Sequence, residues 1–157
     1  MIKKTALFPG SFDPFTLAHE QLVHQALLVF DHIIIAIGQN TQKQNTFSLQ
    51  QRLDWIAAVF AQDARVSVLS YTHTTVSCAQ KTGATAIIRG LRNTQDFLYE
   101  QQLQWVNQQI DPHIITVYYA LTGEHSFISA SAVRELYLHK QSVNHLVPAP
   151  IAQSLEV

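Results

Sequence analysis

The run Ile33-Ile34-Ile35-Ala36-Ile37 limits the fold more than any other stretch of the chain. Its β-branched side chains favour an extended backbone, and it lacks the apolar–polar alternation of a strand with one wet face. Such a strand needs apolar cover on both sides. Ile2 to Phe8, Val66 to Tyr71, Thr85 to Ile88 and Ile114 to Ala120 also read as strands, and helical patterns separate them. The first helix carries Leu22, Val23, Ala26, Leu27 and Phe30 on one face. A second follows the capping box Ser48-Leu49-Gln50-Gln51, and a third runs from Thr75 to Lys81 and stops at Gly83. A long helix bearing Phe97, Leu98, Leu103, Trp105, Val106 and Ile110 ends before Pro112. Another runs from Ser131 through Leu138, and a short helical tail follows Pro148. Strands alternating with helices predict an α/β fold, a single-domain Rossmann-like doubly wound sheet of about five parallel strands with helices on both faces. Residues 1–157 are read as that one domain.

The balance of charge narrows the function. A formal net charge of −1 on 157 residues gives no broad basic face, so non-specific nucleic-acid binding is not expected, and small anionic ligands are better partners. No apolar segment approaches the roughly 18 residues of a membrane span. Cys78 has no partner for a disulfide, and the first residues do not resemble a secretory signal, so a cytoplasmic location is expected.

The stretch Leu7 to His19 joins the first strand to the first helix. In a sheet of this kind that turn lies at the carboxyl edge, where backbone N–H groups and a helix N-terminus favour phosphate. Gly10 allows close approach of a ligand, and His19 falls in the first helical turn. Arg89-Gly90-Leu91-Arg92 and Ser129-Ala130-Ser131 follow other strands at the same edge, so the three turns can converge. Neither G-x-x-x-x-G-K-[ST] nor G-x-G-x-x-G occurs. His19 and His24 are five positions apart, about 140° around a helix, so they diverge and do not make a zinc-binding pair, and no metal-ligating residues are expected. Asp96 and Glu100 stand one turn apart, spaced to pair with neighbouring arginines.

These residues resemble bacterial phosphopantetheine adenylyltransferases. Phe8-Pro9-Gly10-Ser11-Phe12-Asp13-Pro14-Phe15-Thr16-Leu17-Ala18-His19 is similar to that family's Y-P-G-[ST]-F-D-P-x-T-x-G-H signature. Ile88-Arg89-Gly90-Leu91-Arg92, with Asp96, Tyr99 and Glu100, resembles I-R-G-[LI]-R-x-x-x-D-x-x-Y-E, and Ser126 to Ser131 resembles S-x-[IV]-S-S-S. The [TH]-x-x-H element alone indicates only the wider nucleotidyltransferase superfamily.

The resemblance implies transfer of AMP from ATP to 4′-phosphopantetheine, giving dephospho-coenzyme A and pyrophosphate with Mg²⁺ present. It also implies a homohexamer built as two trimers, with coenzyme A as a feedback ligand. His19, Lys43 and Arg89 would be catalytic. Ser11, Phe12, His19, Gly90, Leu91, Arg92, Glu100, His125, Ser126, Phe127, Ile128, Ser129, Ala130 and Ser131 would hold ATP. Ser11, Lys43, Thr75, Arg89, Leu103, Val106 and Asn107 would hold the acceptor.

Three positions depart from the pattern: Phe8 for Tyr, Ala18 for Gly and Ala130 for the middle serine. Ala18 places a methyl group beside the expected phosphate, and Thr74-Thr75 makes the pantetheine wall more polar. Two alternatives stand beside this reading. One is another adenylyl- or cytidylyltransferase of the same fold, and the other is a nucleotide-binding regulatory module without catalysis.

Overall fold

The computed structural model describes residues 3–39 and 44–155. Five parallel strands form one sheet: β1 (Thr5–Gly10), β2 (His32–Gly38), β3 (Val66–Tyr71), β4 (Ala86–Leu91) and β5 (Ile115–Ala120), in the order β3-β2-β1-β4-β5. The helices between and after them are α1 (Leu17–Ala26), α2 (Leu49–Val59), α3 (Thr75–Thr82), α4 (Thr94–Ile110), α5 (Ala130–Leu138) and α6 (Ala149–Ser154). A 3₁₀ turn over Gly123–Phe127 lies between β5 and α5.

The absence of alternation in β2 has the expected outcome. Ile33, Ile35 and Ile37 point into one core with Phe8, Phe15, Leu22, Trp55 and Val133, whereas Ile34 and Ala36 point into a second with Leu7, Val76, Ala79 and Ile87. The first core lies under α1, α2, α5 and α6, and the second lies under α3. Each face of the sheet thus removes its own set of apolar side chains from water, the main driving force for this layered arrangement.

Several element ends differ from expectation for local reasons. β4 continues through Arg89-Gly90-Leu91, since β5 pairs with it as far as Leu91 opposite Ala120. α1 ends at Ala26, yet Leu27 and Phe30 remain buried in the turn that follows. α4 buries none of its residues within the chain, despite its apolar content. The capping box of α2 forms as read, with Ser48 and Gln51 each satisfying the other's backbone N–H.

β1 and β4 determine where a ligand can enter. They pair only at Ala6–Ala86 and Leu7–Ile87, whereas β1 follows β2 along its whole length. The chain leaves β1 and β4 toward opposite sides, so the sheet parts at their carboxyl ends. This is the topological switch point at which open α/β sheets hold their ligands.

Gly83 closes α3 at φ 71°, a left-handed residue whose N–H is bonded to the helix. A Cβ there would meet nothing within 4 Å, so backbone strain alone sets the cost of adding one. Gly83→Ala is expected to lower the unfolding free energy by about 1 kcal/mol in urea titrations, with no change in the denaturant slope.

Candidate active site

The loop after β1 carries the least ordinary backbone of the site. Phe12 has φ 45°, a left-handed conformation costing about 1–2 kcal/mol for a residue with a Cβ. Its ring is 3% exposed, and it packs edge-on to Phe8 at 5.0 Å and to His19 at 5.1 Å. The same ring covers Gly10, where an added Cβ would lie 2.9 Å from Phe12 Cζ. Glycine at that position therefore serves the packing of Phe12 as well as any ligand. The Asp13–Pro14 bond is cis.

His19 occupies the third position of α1, and its side chain completes a capping box with Thr16. The Thr16 backbone N–H donates to Nδ1 at 3.0 Å, and the Thr16 hydroxyl lies 3.1 Å from the same atom. An amide can only donate, so Nδ1 carries the lone pair and a neutral ring bears its proton on Nε2. Burial, followed by the charge of Arg92, lowers the pKa of His19 from 6.5 to about 4. The ring is thus a neutral N–H donor at pH 7, fixed by a bond that also begins the helix.

Two clefts meet at the parting of β1 and β4. The first, about 390 Å³, is lined by Ser11, Phe12, His19, Arg89, Gly90, Arg92, Glu100 and Ile128 to Ser131, with Ala18 in its wall. The second, about 490 Å³, is lined by Gly38, Tyr71, His73, Thr74 and Thr75 and shares Pro9, Gly10, Ser11, Arg89 and Tyr99 with the first. Arg89 stands at the junction. Its Nη1 donates to the Pro9 carbonyl at 3.1 Å, and its Nε pairs with Glu100 at 3.0 Å. Burial raises the Glu100 pKa against the opposing pull of Arg89. Arg92 pairs with Asp96 at 3.0 Å, so both acidic residues of α4 meet the arginines that their spacing predicted.

The N-terminus of α5 faces the first cleft through Ser129, Ala130 and Ser131. Ser129 caps the helix by accepting from the Ala132 N–H at 3.1 Å. Unpaired N–H groups and the helix dipole at such an end attract anions. With Arg89, Arg92 and the Nε2–H of His19, they make the first cleft a place for a polyphosphate and leave the second for another group beside it.

Not every residue named from the sequence lines these clefts. Lys43 lies outside the described residues. Leu91, His125, Ser126 and Phe127 stand beside the first cleft without lining it, and Phe127 is 86% exposed. Leu103, Val106 and Asn107 line neither cleft, and Val106 lies instead in a shallow hollow with Trp105 on the outer face of α4. Conversely, Arg134, Tyr99, Tyr71 and His73 line the clefts without having been named as site residues. The spacing of α5 from Ser131 to Arg134, one turn, was the available signal for Arg134. Tyr71 and His73 had none, because their position depends on how β3 ends beside β2. Among the described residues, no three His, Cys, Asp or Glu side chains cluster to hold a metal ion.

The lowered pKa of His19 has a thermodynamic consequence. Between about pH 6.5 and about pH 4 the unfolded chain binds a proton at this position that the folded chain does not. Stability measured by urea denaturation should therefore fall over that window in the wild type relative to His19→Asn. Parallel pH profiles for the two proteins would contradict a neutral, enclosed imidazole.

Residues 7–136 match the cytidylyltransferase-like family. A phosphopantetheine adenylyltransferase from Prochlorococcus marinus is 40% identical over 95% of this chain and 92% of its own length. One from Porphyromonas gingivalis is 43% identical over 94% of this chain and 96% of its own. A structure described as that of a nicotinate-nucleotide adenylyltransferase from Vibrio parahaemolyticus superposes with a TM-score of 0.75 at 15% identity, over 98% of this chain and 99% of that one, a likeness of fold. With this identity carried over nearly its full length, the chain belongs to the phosphopantetheine adenylyltransferase family.

Proposed function

We propose that the protein transfers AMP from ATP to 4′-phosphopantetheine, forming dephospho-coenzyme A and pyrophosphate. The observation that carries this reading is the pair of clefts joined at Arg89, the first with the arginines and helix N-terminus that a polyphosphate needs and the second with room beside it for a phosphorylated acceptor. A phosphate oxygen of the acceptor attacks the α-phosphorus in line, a new P–O bond forms, and the α–β bridging bond breaks to release pyrophosphate. The nucleophile arrives ionised, so no covalent enzyme intermediate is required. The protein's task is to align two anions and offset their charge.

Each residue has a part in this. His19 donates from Nε2 to the α-phosphate, a position set by the bond of Nδ1 to Thr16. Arg89, with Lys43, offsets the acceptor phosphate, and Ser11 hydrogen-bonds it. Arg92 and the α5 N-terminus hold the β- and γ-phosphates. Mg²⁺ would accompany ATP and offset phosphate charge, and since the cleft carboxylates Asp96 and Glu100 are paired with arginine, the nucleotide rather than the protein would supply most of its hold. Coenzyme A shares the phosphopantetheine arm of the acceptor and is proposed as a feedback ligand of the same clefts.

Assembly and location complete the reading. Leu98, Trp105, Val106 and Ile110 of α4, with Ile115 of β5, are each about half exposed or more. Such an apolar face is suited to burial against further copies of the chain, and a homohexamer built as a dimer of trimers is the proposed assembly. No helix among the described residues is long and apolar enough to cross a membrane, and the cytoplasm is the proposed compartment.

Pyrophosphate release should require ATP and phosphopantetheine together, and nicotinate mononucleotide or glycerol phosphate should not substitute. Release with another acceptor would move the protein to a different branch of the superfamily, and ATP binding without release would leave only a regulatory module. His19→Ala should lower turnover by about 10²–10³ while the protein remains folded, the range for losing one strong transition-state donor. Trp105→Glu should reduce the sedimenting mass of the assembly, since it places a charge on the exposed face of α4.

A further inference from the structure

Arg52 is a buried cation on α2, 4% exposed, and among the described residues it forms no salt bridge. All three of its hydrogen bonds go to backbone carbonyls. Nε donates to Phe47 at 3.1 Å and to Ser48 at 3.3 Å, at the entry to its own helix. Nη1 reaches across to the carbonyl of Ser11, in the loop that follows β1. Anchoring α2 requires only the first two bonds, so the third needs a separate explanation.

That explanation lies in the peptide that Arg52 grips. The Ser11 carbonyl belongs to the plane leading into Phe12, whose φ of 45° is unfavourable for a side chain. In a trans peptide the C=O and the N–H point in opposite directions. Holding the Ser11 oxygen toward α2 therefore turns the Phe12 N–H away from α2. Among the described residues no protein acceptor meets that N–H, and both Ser11 and Phe12 line the first cleft. A buried-side guanidinium thus fixes a donor on the ligand side.

Asp13 makes the hold a closed circuit. Its carboxylate, 2% exposed, accepts from the N–H groups of Thr46 at 2.8 Å and Phe47 at 2.9 Å. The Phe47 residue is consequently held at its N–H by Asp13 and at its carbonyl by Arg52. Its ring is buried against Trp55 and Tyr137, which keeps this anchor in place. Lysine cannot reproduce the arrangement, because its single nitrogen cannot stand both where Nε meets Phe47 and Ser48 and where Nη1 meets Ser11.

We propose that Arg52 is a positioning residue for adenylyl transfer, holding the Ser11–Phe12 peptide so that the Phe12 N–H is fixed toward the nucleotide phosphates. This rests on the function proposed above, and a wild type unable to release pyrophosphate would overturn both. Three variants of the full-length protein separate the outcomes: Arg52→Met, Arg52→Lys and Ser48→Ala. Ser48→Ala removes the N-cap of the same helix, so it lowers Tm without loosening Ser11.

Rates are compared per folded enzyme, well below each Tm. Arg52→Met should lose about 10–100-fold in kcat with KM for ATP changed less than about threefold, as expected for a donor whose fixed geometry matters most in the transition state. Arg52→Lys should fall between it and the wild type, and Ser48→Ala should keep the wild-type kcat. Wild-type kcat in Arg52→Met, with only Tm reduced, would show that Arg52 is structural and overturn the proposal. If Arg52→Met does not fold, Arg52→Lys decides: a kcat within about threefold of the wild type overturns the proposal, and a larger loss at constant KM supports it.

Discussion

The parting of β1 from β4 beyond Leu7 and Ile87 is the constraint on which the site depends. Parallel strands that remained paired would fill the carboxyl edge with sheet hydrogen bonds. Where they separate, carbonyls and N–H groups need other partners, and the chain supplies arginines. Arg89 takes the carbonyl of Pro9, Arg52 that of Ser11 and Arg134 that of Asp13. Alternate carbonyls from the end of β1 into the loop after it are thus each tied to a guanidinium from a different element: β4, α2 and α5. The sheet's defect and the order of the loop are two aspects of one arrangement.

Charge follows from the same geometry. Three cations beside a short loop would repel one another if nothing answered them, and here carbonyls and Glu100 do so in part. Two incoming anions would answer them more fully. His19 contributes differently: its burial keeps it neutral, so it offers direction without a further charge. A neutral donor beside cations avoids the repulsion that an imidazolium would bring, and its Nε2 proton stays in place because Thr16 occupies Nδ1.

Much of this was legible in the residues. The unbroken Ile33–Ile37 run required a sheet covered on both faces, and Ser48-x-x-Gln51 and Gly83 marked helix ends that the structure reproduces. The spacing of Asp96 and Glu100 foretold their arginine partners. Hidden features were those made by long-range contact. Nothing local in Arg52 says that it will reach Ser11, and nothing in Tyr71 or His73 says that β3 will end beside a cleft. The apolar residues of α4 marked a helix but not where its apolar face lies, because sequence periodicity cannot tell a face packed within the chain from one left on its outside. Ala18, a departure from the family signature, is 3% exposed and sits in the cleft wall beside His19.

In the proposed mechanism these residues align two phosphates for a single displacement and take no covalent part themselves. Stereochemistry at the α-phosphorus tests this directly. With ATP made chiral at that atom by sulfur substitution, one in-line attack by the acceptor inverts the configuration found in the product. Inversion is the predicted result. Retention would require two displacements through a nucleotidyl-enzyme and would contradict it.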